Sequence, residues 1–274
     1  MGVCKDPRLT YLNSIGFNVV KLPRADVEPL EVLGRDDKSL DNLGKLSTIW
    51  KSTGTAPVPA PPAPAANING QKTDQLKLSI GLDILASILQ GMGVPSPRVD
   101  AAYSKAQNVQ FTFTNVNIVR VAPLEVGQYL AHGDLDQSNP FASYFLDHSK
   151  EAYVITELLT SNAIIVKGTD DHGTSVGVDL PNIEKIVGVN VKVSPSGSDA
   201  SELTYQGPQT LVFGFKVYGI SYADGKWSIH GQEPSGGIAY MTAHEPRGVV
   251  LAPSQLMQTI PRMGSQPQQK PAAA

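Results

Sequence analysis

The chain has 274 residues, a formal net charge of −3 and 41% hydrophobic residues, enough for one substantial core with a small appendage. A charge this near zero, with no basic cluster, argues against a nucleic-acid binder, and 25 Gly and 21 Pro favour a turn-rich, β-containing fold over a helical bundle. The single cysteine, Cys4, excludes an intramolecular disulfide and fits a reducing, cytosolic location.

In chain order, the first expected element is a helix over Asp6–Ile15. Asp6 suits the N-cap and Pro7 the first helical position. Leu9, Leu12 and Ile15 recur at near-helical spacing, and Gly16 is a natural terminator. Met1–Pro7 has no apolar stretch behind it, so no secretory signal is expected. Phe17–Leu22 reads as a short strand stopped by Pro23, and Ser39–Trp50 as a short helix with Leu40, Leu43 and Leu46 on one face. Thr53–Ala66 is Pro/Ala-rich and of low complexity, which predicts a surface linker inside the domain, polyproline II or irregular.

Leu76–Gln90 fits two templates at once. Leu78, Leu82, Leu85 and Leu89 make a helical stripe, while Leu76, Leu78, Ile80, Leu82 and Ile84 alternate with Lys77, Ser79, Gly81 and Asp83. Two readings stand: an ordinary amphipathic helix, or a segment helical in one state and a membrane strand in another. Val109, Phe111 and Phe113 alternate with Gln110, Thr112 and Thr114, and the phase slips at Asn115–Ile118, predicting a bulged strand over Val109–Val121. Val154–Lys167 is β-rich but imperfectly alternating. A short helix is expected after Pro181, then a strand carrying Val189, Val191 and Val193. Leu211–Trp227 reads as one or two strands with a hairpin turn at Asp224-Gly225. After Glu245 no acidic residue follows, Val249–Leu251 and Leu256–Ile260 are apolar enough to dock, and Gly264–Ala274 has a disorder-prone composition.

Catalytic chemistry is hard to find. The histidines (His132, His148, His172, His230, His244) form no HExxH or paired-ligand spacing. Asp170-Asp171-His172-Gly173 reads as a polar turn rather than a metal site, and without CxxC no zinc is expected. GxSxG and Walker A motifs are absent, and Gly231–Gly237 lacks the Lys and spacing that cradle phosphate. No enzyme, cofactor or nucleic-acid partner is therefore expected. Cys4 is either an inert terminal thiol or an S-acylation site, its thiolate favoured by Lys5, Arg8 and the positive end of the predicted helix. Met1-Gly2 invites N-myristoylation, but Asp6 stands where Ser or Thr is needed.

Three strings carry a family resemblance: MGVCKDP at the start, GFNVVKLPRADVEPLEVL over Gly16–Leu33, and LDNLGKLSTIW over Leu40–Trp50. Together they resemble the bacterial gasdermins, most closely over the first fifty or so residues and more loosely to about residue 245. The resemblance implies an α+β fold, a twisted, mostly antiparallel central sheet with short helices. It implies S-palmitoylation at the matching cysteine, Cys4, and a C-terminal tail that locks the inactive form. It further implies that a caspase-like or trypsin-like protease cuts that tail in phage defence and that the freed protein enters the membrane. The Pro/Ala segment departs from the pattern, and the cut site does not carry over by motif.

These implications set the remaining expectations. Residues 1–247 form the pore-forming domain and 248–274 the autoinhibitory tail. The cut falls at Arg247-Gly248, with Arg262-Met263 as second choice. No run approaches the ~20 apolar residues of a spanning helix, so entry requires a closed barrel. Its strands need ~9–11 alternating residues, and the candidate arms are Asp74–Gln90, Asn108–Ala122, Ala152–Lys167 and Gly188–Ser196, paired as neighbours into two hairpins. The membrane-facing candidates are Leu76, Leu78, Ile80, Leu82, Ile84, Val109, Phe111, Phe113, Val189, Val191 and Val193. Two hairpins cannot close a wide pore, so a cytoplasmic monomer would become a homo-oligomer in the inner cell membrane. The rival reading is a soluble α+β binding or scaffold protein without membrane activity.

Overall fold

The computed structural model describes residues 17–230, apart from 37–39, 67, 71, 73–74, 96, 148, 197–200 and 224–225, and without the side chains of 19–24, 80, 223 and 230. The helix expected over Asp6–Ile15, Cys4 and the whole tail, including Arg247, Gly248, Arg262 and Met263, lie outside the described residues. The elements are β1 (Asn18–Arg24), β2 (Glu31–Arg35), β3 (Leu40–Lys45), α1 (Leu46–Ile49), β4 (Trp50–Ser52), β5 (Ala63–Pro64), β6 (Leu76–Lys77), α2 (Leu78–Gly91), β7 (Asn108–Thr114) and β8 (Asn117–Arg120). They continue with α3 (Pro123–Ala131), β9 (Gly133–Leu135), α4 (Ser143–Leu146), β10 (Glu151–Thr169), α5 (Leu180–Val187), β11 (Lys192–Pro195), β12 (Glu202–Ala223) and β13 (Lys226–His230).

Two long antiparallel strands, β10 of 19 residues and β12 of 22, form a spine. Three short strands lie end to end along the outside of β10, in the order β2, β8, β7. Three more lie along β12, in the order β13, β1, β11. A third row then flanks β10's companions: β3 beside β2, β5 beside β8 and β6 beside β7. All these pairings are antiparallel, so the twelfth and tenth strands carry a mostly antiparallel sheet of 11 strands. The imperfect alternation along β10 has a simple cause. Nearly every residue from Ala152 to Thr169 is buried, because both faces of this central strand are covered.

The register of the spine shifts at three places, and the largest shift falls at the same level on several strands. Between Ser161 and Ala163 on β10, its partner β12 advances from Leu211 to Gln206. Opposite, β7 gives way to β8 through Asn115, which sits at φ 51°. Ser161 Oγ lies 2.6 Å from Thr114 O and accepts the Ala163 N–H, stitching the break with a hydroxyl. The slip expected at Asn115–Ile118 is thus an interruption between two strands rather than a bulge in one. Above it, the buried Lys216 ammonium pairs with Glu157 at 3.0 Å and lies 4.8 Å from the Phe17 ring centroid.

Several expectations are corrected. The helix expected over Ser39–Trp50 is a strand, β3, followed by the single turn α1. Its hairpin partner β2 was not anticipated. Strand β1 runs through Pro23 to Arg24 instead of stopping; its register on β12 shifts between Val19 and Arg24, which is where an outer strand tolerates a residue without N–H. Helix α5 starts at Leu180, before Pro181, because the Asp179 carboxylate accepts the Asn182 N–H at 3.1 Å. The strand expected to carry Val189 begins only at Lys192, since Gly188 (φ 59°) ends α5 and turns the chain. The Pro/Ala segment is largely exposed as expected, but Ala65 is buried and Ala63–Pro64 is paired rather than irregular.

Candidate membrane-entry segments

Helix α2 lies on the sheet over β7. Strand β6 runs directly into it: Leu76 pairs with Val109, Lys77 with Asn108, and the Leu78 N–H then bonds Gln107 O at 2.8 Å. From there the chain coils, and Leu82, Ile84, Leu85, Ile88 and Leu89 turn inward, while Ser79 and Asp83 face solvent. In the resting structure the helical template wins because it buries Leu85 and Leu89 together with Leu82, which a flat strand on the sheet edge cannot do. Along β7 the alternation is clean: Val109, Phe111 and Phe113 are buried and the residues between them half-buried.

The membrane-facing candidates therefore converge. Leu76, Leu82, Ile84, Val109, Phe111 and Val191 belong to one core cluster, with Leu78 and Val193 packed at its margin. Phe113 lies apart, stacked on Phe213 at 4.9 Å beside Ile68 and Phe17. Val189 is 102% exposed, and the side chain of Ile80 is outside the description. Tyr103 and Tyr205 share a 2.8 Å hydroxyl contact within the main cluster, and burial raises both phenols above their ordinary range.

At rest the four arms are not joined as the two expected hairpins; the full ladder runs between the second and third arms, β7 and β8 on β10. Among the described residues of the first two arms, only Leu76–Lys77 with Asn108–Val109 are joined. The arms at Ala152–Lys167 and Gly188–Ser196 do not touch as a ladder, because β12 lies between β10 and β11. Asp170 closes a turn: its Oδ1 accepts the N–H groups of Thr174 (2.7 Å) and His172 (2.9 Å), and the Thr174 bond above all holds its carboxyl below the usual range.

Sequence reasoning missed the role of Gly81, assigned only to a small-residue face. It is buried where helix and strand meet, and a Cβ there would fall 1.7 Å from Val109 Cγ2. In an exposed helix, Gly→Ala stabilises by roughly 0.5–1 kcal/mol. Here the sign inverts: Gly81→Ala is expected to destabilise by ~1–3 kcal/mol through overpacking. Adding Val109→Ala is expected to cost less than the sum of the single changes. Urea unfolding of the three variants checks this, and a stabilised Gly81→Ala would refute the close contact.

A family model described as Bacterial Gasdermin Family matches residues 20–228. A protein named Gasdermin bGSDM from Vitiosangium sp. (strain GDMCC 1.1324) is 39% identical over 262 residues, covering 94% of this chain and 96% of its own length. Another of that name, from a Desulfuromonadales bacterium, is 35% identical over 229 residues, covering 82% and 85%. The solved structure of a bacterial gasdermin from Bradyrhizobium tropiciagri is similar in fold, with a TM-score of 0.61 at 14% identity over 82% of this chain and 90% of that one.

Proposed function

The chain belongs to the bacterial gasdermin family, and from that premise we propose that it is an autoinhibited pore-forming protein of anti-phage defence. A caspase-like or trypsin-like protease removes the C-terminal tail. The freed cytoplasmic monomers oligomerise on the inner cell membrane, and the apolar faces of the arms turn from the core to lipid in a β-barrel. Membrane failure then kills the cell. No catalytic residue takes part.

The observation that carries this reading is the convergence of Leu76, Leu82, Ile84, Val109, Phe111 and Val191 in one core. Segments that alternate apolar and polar residues keep their apolar faces together at rest, and those faces are what a barrel turns outward. Among the described residues no helix is long and apolar enough to cross a membrane, while strands such as β10, at 19 residues, exceed the ~9–11 needed. Limited proteolysis in the presence of dye-loaded anionic vesicles is the test. Release that begins only after the tail is cut supports the pore; a cut, folded and inert protein favours a soluble binding or scaffold role.

Cys4 enters as the lipid attachment point. Intact mass spectrometry of protein from its native host is expected to show a palmitoyl adduct that Cys4→Ala removes. That variant is expected to keep the fold and release dye several-fold more slowly, since a buried acyl chain contributes up to ~10 kcal/mol at ~0.8 kcal/mol per methylene. An unmodified mass together with full activity of Cys4→Ala would withdraw the assignment.

A further inference from the structure

The Pro/Ala segment holds a definite position in the sheet. It is the outermost row beside β8. The Ala60 N–H bonds Arg120 O at 2.8 Å, Ala63 and Pro64 pair with Ile118 and Asn117, and the Ala65 N–H bonds Val116 O at 2.8 Å. The chain then continues along β7, with Gly70 N–H on Phe113 O, a bridge from Lys72 to Thr112, and β6. The described residues between 60 and 78 thus lie along the free side of β8 and β7 from Arg120 to Gln107.

The phase of the pairing decides what the covering strand shows to the outside. In an antiparallel ladder the residues alternate between those that bond the partner and those whose N–H and C=O point away. Ala65 and Ala63 are in the bonding phase, so Pro64 between them is in the outward phase; Pro62 precedes them at the register step that the Ala60 bond to Arg120 marks, and it too brings no N–H to the row. Both are exposed, and neither has an N–H. At those positions the outer edge offers acceptors only and cannot complete a ladder with another strand.

We propose that this segment is an assembly guard: Pro62 and Pro64 keep the β8 side of the sheet from adding a strand of a second copy of this chain, so that the resting protein stays single. The occupant it excludes is another copy because edge-to-edge pairing between copies is how the barrel forms; the proposal rests on the pore reading for that use alone. Other sheet rows are blunted by different means, for example the exposed Lys77 at the end of β6.

The full-length chain is compared with Pro62→Ala/Pro64→Ala, which restores two N–H groups to this row without adding bulk, and with Pro57→Ala/Pro59→Ala, which removes as many prolines upstream of the paired stretch. Size-exclusion chromatography with light scattering is run over a hundredfold range of concentration, with no membrane present, and thermal melts verify that each variant is folded. The native chain and the upstream variant are expected to remain monomeric. The Pro62/Pro64 variant is expected to show concentration-dependent dimers and larger species, with at least a tenfold rise in the associated fraction. Should the alanine pair melt early, Pro62→Thr/Pro64→Thr, better suited to a strand, is measured in its place. A folded Pro62/Pro64 variant that stays single overturns the guard, as does equal association of the upstream variant. Association without any dye release from protease-cut native protein would leave the guard standing and refute the pore.

Discussion

Residues 1–247 expressed alone are expected to kill the host cell, whereas the full chain and an Arg247→Ala chain are expected to be harmless. Glu245-Pro246-Arg247-Gly248 offers a basic residue followed by Gly in a stretch punctuated by Pro and Gly, the composition of an exposed, cleavable loop. Cutting at Arg262-Met263 instead would leave Val249–Ile260 attached, and that apolar stretch is the part proposed to dock. A few side chains buried by it would each contribute ~1.5–3 kcal/mol. Held in cis, such a segment keeps most molecules closed; once severed, it is diluted and lost. The measurement is colony survival under induction, with vesicle dye release from the purified chains. A harmless 1–247 chain, or a full chain that already permeabilises membranes, would end this account of the tail.

The second large effect is expected at Val189. A charge at Leu82 does not discriminate, because Leu82 is 5% exposed and packed in the main cluster; it would damage the resting core as surely as an inserted strand. Val189 is fully exposed at rest and lies in the apolar phase of the last arm. Val189→Arg is therefore expected to leave the melting temperature of the full chain unchanged. In the inserted barrel Val189 is second in the arm and so lies toward the interface, where Arg costs up to ~1 kcal/mol per protomer, up to about 5-fold for each protomer in the insertion equilibrium. Dye release from the cut protein should fall accordingly, with Val189→Thr close to the native chain. Unchanged release by Val189→Arg would take this position out of the hydrocarbon and the arm with it.

Much of the site was legible because it depends on local periodicity. The alternation of Val109, Phe111 and Phe113 is the burial pattern of β7, and the stripe of Leu82, Leu85 and Leu89 is the buried face of α2. The hairpin β2–β3 was not legible, for a long-range reason. Asp41 and Asn42 look like turn residues, yet both are buried. Asn42 is accommodated by its amide donating to the Glu31 carboxylate at 2.7 Å, a partner eleven residues back. Without that pairing, Leu40, Leu43 and Leu46 fit a helix equally well. Gly81 was hidden for the same reason: its neighbour Val109 lies across an element boundary, and no local pattern records how closely a helix approaches a strand.

Only two tryptophans occur in the chain, and they meet edge to face, Trp50 on Trp227, with ring centroids 4.6 Å apart. Trp227 sits on β13, the last described strand before the tail, and also abuts Phe145 and Tyr222. The tryptophan emission of the protein thus comes from a single spot, the seam where β13 meets the body. Any event that lifts this strand separates the two indoles and wets them, shifting the emission to the red with no label attached. The molecule carries its own optical gauge of whether the end of the sheet is still closed.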